Sequence, residues 1–154
     1  KKNFNFSIFR MFNVYGPGQD LLDDKQGMVS IYLSSLIRKN KIIVKGSLNR
    51  YRDLIYIDDV VDIWVEGIIN KKFKNKIINL GTGKKIKVSR ILDTLKDLHD
   101  KKTSIHVKNS TPGDQKGIFA DKSIFKITKK KKFINIQEGF KKFYLWAKKI
   151  DLNE

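Results

Sequence analysis

The sequence predicts an α/β fold with parallel strand pairing. Three observations carry this expectation. Short apolar runs of strand length alternate along the chain with longer segments whose apolar residues recur at helical spacing. Several of the short runs close on Gly-containing turns, as at Gly16-Pro17-Gly18 and Gly81-Thr82-Gly83. The 154 residues are enough for one domain with a sizeable core, and 40% of them are hydrophobic.

In order, Phe4 to Arg10 alternates apolar and polar residues and reads as a strand. Met11 to Tyr15 runs on into a Gly-Pro-Gly turn, and Asp20 to Gly27 is a polar loop. Met28 to Asn40 places Met28, Val29, Tyr32, Leu33, Leu36 and Ile37 on one helical face. Ile42-Ile43-Val44 is a strand closed by Gly46. The stretch Arg50 to Trp64 organises the chain: two arginines flank Tyr51, Leu54 to Ile57 forms a strand, and Asp58 or Asp59 is expected to cap a helix running to about Asn70. Because the strand fixes where Arg52 sits, its planar guanidinium is a candidate for bidentate capture of a phosphate or carboxylate.

Ile77 to Leu80 is a further strand, Val88 to His99 a helix facing inward through Ile91, Leu92, Leu95 and Leu98, and Ser104 to Lys108 a strand. Ser110 to Asp114 is a loop, and Asp121 to Thr128 a short helix before the run Lys129 to Lys132. Asn135-Ile136-Gln137-Glu138 is a capping-box pattern. It opens a last helix with Phe140, Phe143, Tyr144, Ala147 and Ile150 on one face.

The formal charge is +17, from 33 Lys and Arg against 16 Asp and Glu. Such a balance suits nucleic acid, an anionic membrane surface or an anionic small ligand, or it reflects a solvated lysine surface in a composition rich in Lys, Asn, Ile and Phe. There is no cysteine, which excludes disulfides and thiolate metal sites, and two histidines do not argue for a metal centre. No apolar run is long enough to span a membrane. A start at Lys1 directly before a strand leads us to expect a cut at a domain edge.

Six landmarks fall in a familiar order: Arg10-x-Phe12-Asn13-Val14-Tyr15-Gly16-Pro17, Arg52 to Val60, Asn79-Leu80-Gly81-Thr82-Gly83, Pro112-Gly113-Asp114, Ala120 to Ser123, and Glu138-Gly139. Together they resemble the C-terminal half of the extended short-chain dehydrogenase/reductases, the nucleotide-sugar epimerases and dehydratases similar to UDP-galactose 4-epimerase. The resemblance implies the C-terminal substrate-binding part of a Rossmann-type enzyme, over residues 1–154. Two strands would belong to the parallel Rossmann sheet, and the NAD-binding half would be absent.

In that family hydride passes from a sugar carbon to NAD through a keto-sugar intermediate, assisted by a Tyr-x-x-x-Lys pair. The glycine spacing that cradles the NAD pyrophosphate does not occur here. Tyr144-x-x-x-Lys148 lies on the final helix and is read as a chance pair, so no catalytic residue is expected in this chain. NAD is expected to be held mainly by the missing half, with Met11 and Phe12 near the nicotinamide.

The resemblance assigns the nucleotide sugar, a UDP-sugar by expectation, to seven positions. These are Asn13 at the phosphate region, Met28 and Val29 at a helix start facing the diphosphate, Ile43 and Lys45 at the uracil, Arg52 on the diphosphate and Asp114 on a ribose hydroxyl. Thr111 stands where the family often has a second diphosphate arginine, so Lys108 or Lys116 is a candidate replacement. The resemblance further implies a cytoplasmic homodimer when whole, with no membrane and no specific nucleic acid. A reductase or decarboxylase of the same family, a non-catalytic nucleotide-binding module and a nucleic-acid binder are the alternatives. Without neighbouring strands, the Phe4–Arg10 strand is expected to self-associate or fray.

Overall fold

The computed structural model describes residues 4–25, 27–110 and 113–150. Its strands are β1 (Ser7–Met11), β2 (Asn13–Tyr15), β3 (Lys41–Lys45), β4 (Tyr51–Arg52), β5 (Leu54–Tyr56), β6 (Lys76–Leu80), β7 (Ile86–Lys87), β8 (Ser104–Lys108) and β9 (Gly117–Ile118). Its α-helices are α1 (Met28–Lys39), α2 (Ile57–Ile69), α3 (Val88–Lys96), α4 (Ile124–Ile127) and α5 (Ile136–Ala147). Four strand pairs are parallel: β1 with β6, β2 with β5, β3 with β8, and β4 with β9. The short β4 sits between β7, antiparallel to it, and β9, parallel to it. The chain is therefore α/β with parallel pairing, as its alternating pattern predicts.

β5 is buried at all three positions because it divides two cores. Side chains alternate across a strand, so Leu54 and Tyr56 enter one core while Ile55 enters the other. The larger core joins α1, α3 and α5 through Leu33, Leu36, Ile91, Leu95, Phe140 and Phe143. The smaller one gathers Ile55, Val60, Ile63, Phe73, Ile78 and Leu80 beneath α2. Each fully buried aliphatic contributes about 1.5–3 kcal/mol.

Asp53, immediately before β5, has a fully buried side chain. Its carboxylate accepts from Thr82 N (2.9 Å), Thr82 Oγ1 (2.5 Å), Gly83 N (2.8 Å) and Ala120 N (3.0 Å). Its carbonyl accepts from the Asn13 backbone N–H (3.2 Å) and side-chain Nδ2 (3.1 Å). A Cβ at Gly81 would stand 2.6 Å from Asp53 Oδ2, so the loop after β6 closes on the carboxylate only with bare backbone there. The Gly81-Thr82-Gly83 turn is thus occupied by the protein's own anion.

Three sequence expectations need correction. α2 begins at Ile57 with Tyr56 as the N-cap residue and no side-chain cap bond, so neither Asp58 nor Asp59 is the cap. Asp59 instead turns into the fold, accepting from Ile134 N (2.8 Å) with the Lys130 ammonium 2.9 Å away. The first strand begins at Ser7, leaving Phe4 outside it and 79% exposed. The helix expected over Asp121 to Thr128 is confined to Ile124–Ile127, because Asp121 instead accepts from Ser123 N (2.7 Å) and Asn79 Nδ2 (3.0 Å). The Asn135 cap stands as expected, its Oδ1 accepting from Glu138 N at 3.0 Å.

β1 and β6 pair with each other, and α2 covers one face of the pair, where Phe9 stacks on Trp64 with ring centroids 6.2 Å apart. Ile8 and Ile77 on the opposite face are exposed. On α2 itself Val61, Trp64, Val65, Ile68 and Ile69 are exposed, Ile68 at 85%. The other flank of α2 is strapped by residues 128–134. Glu66 accepts from Thr128 Oγ1 (2.5 Å) and Lys129 N (2.8 Å), and Lys130 bridges Asp59 and Asp62. Burial pushes the Glu66 carboxyl up, but the bonds from Thr128, Asn70 and Lys129 together hold it below its ordinary range.

His99 joins three helices. Its Nε2 lies 2.8 Å from Asn40 Oδ1, the residue after α1, and its Nδ1 lies 3.0 Å from the Tyr144 hydroxyl on α5. A carboxamide oxygen only accepts, so Nε2 carries the proton and Nδ1 accepts from Tyr144.

Two predictions follow from these contacts. Asp53→Asn turns an acceptor into an amide facing N–H donors, and should cost about 3 kcal/mol or more in urea denaturation. An unchanged midpoint would refute its keystone role. For His99, burial lowers the imidazole pKa, Lys101 and Lys148 add to that, and Asp100 opposes it. The neutral ring is thus favoured by folding. Its contribution is present above an ordinary pKa of about 6.5 and lost as pH falls from there toward the lowered folded value. The melting temperature should drop between about pH 7.5 and pH 5.5, and His99→Gln should flatten that drop.

Candidate functional site

The end of β3, the start of β4 and the loop after β8 meet at a cluster of ionic side chains. Arg50 lies just before β4 and Arg52 ends it, two residues on. They converge on Asp114: Arg50 Nη1 donates to Oδ2, and Arg52 Nη2 stands 3.6 Å from Oδ1. Arg50 Nη2 also donates to the Lys45 carbonyl at the end of β3, and its Nε donates to Ser47 O at 3.0 Å. Arg52 Nη1 donates to Tyr51 O (2.9 Å) and, more weakly, to Gln115 O (3.4 Å). A cavity of about 360 Å³ opens beside the cluster, lined by Ser47, Asn49, Arg50, Ser110, Asp114 and Lys116.

Tyr32 of α1 senses the cluster electrostatically. Burial raises the Tyr32 hydroxyl pKa, while Arg50 and Arg52 pull it down and Asp114 pushes it up, which puts that hydroxyl within electrostatic reach of the cluster. Met28 and Val29 open the same helix one turn earlier, and Val29 is buried, so its backbone alone can face a ligand. The helix begins at Gly27 with no side-chain cap and no acid in its first turn. One N–H of the Asn13 side-chain amide donates to the Asp53 carbonyl at 3.1 Å, and the amide carries a second N–H.

The structure brings Lys45, Arg52 and Asp114 to one place. Ile43 lies on the exposed face of β3. The Lys45 carbonyl is already taken by Arg50, which narrows what Lys45 can offer a base. Met11 and Phe12 lie apart from this cluster, at the end of β1, where Phe12 N donates to Leu80 O. Of the candidate replacements for an arginine at position 111, Lys116 lines the cavity. Thr111 itself lies outside the described residues.

Arg50 and Tyr32 were not singled out from the sequence. The i, i+2 spacing of Arg50 and Arg52 is the signal that could have found the first. Nothing local marks the second, whose place depends on how α1 packs.

No group of acidic and histidine side chains among the described residues could hold a metal ion. An NAD pyrophosphate does not fit the glycine turn after β6, whose N–H groups are spent on Asp53. The arrangement can bind a phosphate through Arg52 and accept a hydrogen bond from a hydroxyl at Asp114.

An α/β chain with parallel strand pairs and a paired-guanidinium site is what these elements define. The sequence profile of the NAD dependent epimerase/dehydratase family matches residues 1–81, and the chain belongs to that family. It is 29% identical over 144 residues to a putative UDP-glucose 4-epimerase of Methanocaldococcus jannaschii, covering 93% of this chain and 46% of that protein. It is 30% identical over 112 residues to a dTDP-4-dehydro-6-deoxyglucose reductase of Escherichia coli, covering 73% and 35% respectively.

Among solved structures, an NAD-dependent NDP-hexosamine 5,6-dehydratase of tunicamycin biosynthesis matches with a TM-score of 0.83 and 26% identity, over 96% of this chain and 46% of that one. The UDP-glucose 4-epimerase of Thermotoga maritima, solved with UDP-glucose, matches with a TM-score of 0.80 and 26% identity, over 94% and 46%. The chain thus spans about half the length of the epimerases and the dehydratase it matches, and about a third of the reductase.

The two arginines should differ in stability. Arg50→Ala leaves a mostly buried carboxylate and the Lys45 carbonyl unpaired and should cost about 2–3 kcal/mol, whereas Arg52→Ala should cost less than about 1 kcal/mol. Guanidinium chloride denaturation compares them, and equal losses would contradict the assignment.

Proposed function

We propose that this chain holds the nucleotide-diphosphate sugar, a UDP-sugar, of an NAD-dependent sugar epimerase or dehydratase. The observation that carries the reading is the convergence of Arg52 and Asp114 near the end of β3. The diphosphate lies on Arg52 and the first turn of α1, with the second N–H of the Asn13 side-chain amide as a further donor. Helix N–H groups and a guanidinium both favour that charge. The base lies along β3 at Ile43 and Lys45, and a ribose hydroxyl donates to Asp114.

Residues 1–154 then form the substrate-binding region, and the NAD-binding Rossmann half lies outside them. NAD supplies the hydride acceptor when bound, and Met11 and Phe12 flank it. Two features support this division: β1 and β6 have no further sheet partners among the described residues, and α2 exposes an apolar face. The complete enzyme is a cytoplasmic homodimer on this reading. The Escherichia coli relative favours a reductase as the second reading. A nucleic-acid role draws less support, because Lys130 in the lysine run is engaged by Asp59 and Asp62.

The purified chain with added NAD should turn over no UDP-sugar, yet bind UDP-glucose in calorimetry. Arg52→Ala should weaken that binding about tenfold or more. Turnover by the chain alone, or an Arg52→Ala variant that binds as tightly as the original, would overturn the reading.

A further inference from the structure

β3 and β8 form a two-stranded parallel sheet, and β8 pairs with no other strand among the described residues. The register sets Ile42 beside Ile105 and Val44 beside Val107 on the core face. Lys41, Ile43 and Lys45 stand beside Ser104, His106 and Lys108 on the outer face. Ile42 and Val44 are fully buried, yet Val107 is 54% exposed. The core face of this sheet therefore runs on past its last strand, with an apolar side chain left uncovered.

The backbone is open on the same side. Ser104 N donates to Asn40 O (3.1 Å), and Lys108 O accepts from Gly46 N (2.9 Å), so alternate residues from Ser104 to Lys108 turn their N–H and C=O groups toward β3. Those of Ile105 and Val107 point the other way and pair with no backbone among the described residues. Residues 100–110 hold exposed Lys101, Lys102 and Lys108 against one acid, Asp100. Lysines at an edge deter pairing with a second copy, which would bring its own charge of +17. Toward an acidic strand they do the reverse.

We infer that the open edge of β8 is a docking site for an extended, acidic segment of another protein, one in which apolar and acidic side chains alternate. Laid beside β8, such a strand bonds the N–H and C=O groups of Ile105 and Val107. Its apolar side chains cover Val107 on the core face, and its carboxylates lie on the outer face beside His106 and Lys108.

Fluorescence anisotropy of the whole chain with a labelled peptide that alternates valine and glutamate tests it. That peptide should bind about tenfold or more tighter than one of the same composition with its valines and glutamates in separate blocks. A peptide alternating valine and lysine should not bind. Hydrogen exchange at the Ile105 and Val107 amides should slow about tenfold or more when the peptide is bound, while Ser104 and His106, already turned toward β3, should not change. Val107→Pro removes an edge N–H without breaking a bond to β3, so it should weaken the peptide about tenfold while the melting temperature stays nearly unchanged. Should that variant fail to fold, Val107→Asp keeps the backbone but sets a carboxylate against the apolar side of the peptide, and binding should fall by a similar factor. Equal affinity for the alternating and block peptides would mean attraction of charge alone and would overturn the inference. So would binding that survives both Val107 variants, or no binding at all. Sedimentation that shows a dimer, with the same two amides slowed before any peptide is added, would make a second copy the occupant and overturn it equally.

Discussion

The structure depends on one buried carboxylate. Asp53 brings four donors onto its side chain and two onto its carbonyl, from β2, from the turn after β6 and from the segment after β9. A buried charge is costly unless hydrogen bonds replace its water, and here several backbone N–H groups do so. The bonds also do positional work. They fix the backbone between Arg52 and Leu54, so the arginine before Asp53 and the core strand after it cannot shift independently. The N–H groups of Thr82 and Gly83 in the turn after β6 are spent on this internal anion.

That anchor explains why β5 can separate two cores. Its alternation puts Leu54 and Tyr56 under α1, α3 and α5, and Ile55 under α2. The two sides differ in how complete they are. The first core is enclosed by three helices. The second has α2 on one face of β1 and β6 and exposed apolar side chains on the other, which is unusual for parallel strands, normally buried on both faces. Polar bonds concentrate on the closed flank of α2, where Asp59, Asp62 and Glu66 hold residues 128–134. The lysine run there is partly structural, so net charge alone overstates the free basic surface.

Most elements were legible because they obey simple periods. α1, α3 and α5 keep an apolar helical face, β3 and β8 are bounded by polar residues, and Asn135 caps as its sequence pattern says. The three-stranded arrangement of β7, β4 and β9 was not legible. Those strands are two residues long, shorter than any hydrophobic period, and form only because Asp53 and the Arg50 cluster bring their backbones together. Asp59 was misread for a related reason. An acid at a helix start has a local explanation as a cap, and nothing near it in sequence shows that Lys130 and Ile134 will arrive from 71 and 75 residues away.

The candidate site divides along the same line. Arg52 could be singled out because a strand and a fixed turn follow it directly. The division of labour between it and Arg50 could not, because that depends on which oxygens lie nearby. Two guanidiniums beside Asp114 carry a charge of +2, and a single carboxylate cancels only half of it. If both arginines were equally free, Asp114 would sit between them. Instead the Ser47 and Lys45 carbonyls hold Arg50, the carboxylate follows Arg50, and Arg52 is left with the weaker contact at 3.6 Å. The surplus positive charge therefore resides on Arg52, the residue whose backbone Asp53 fixes. The same buried anion that holds the fold together thus determines where the less engaged guanidinium stands.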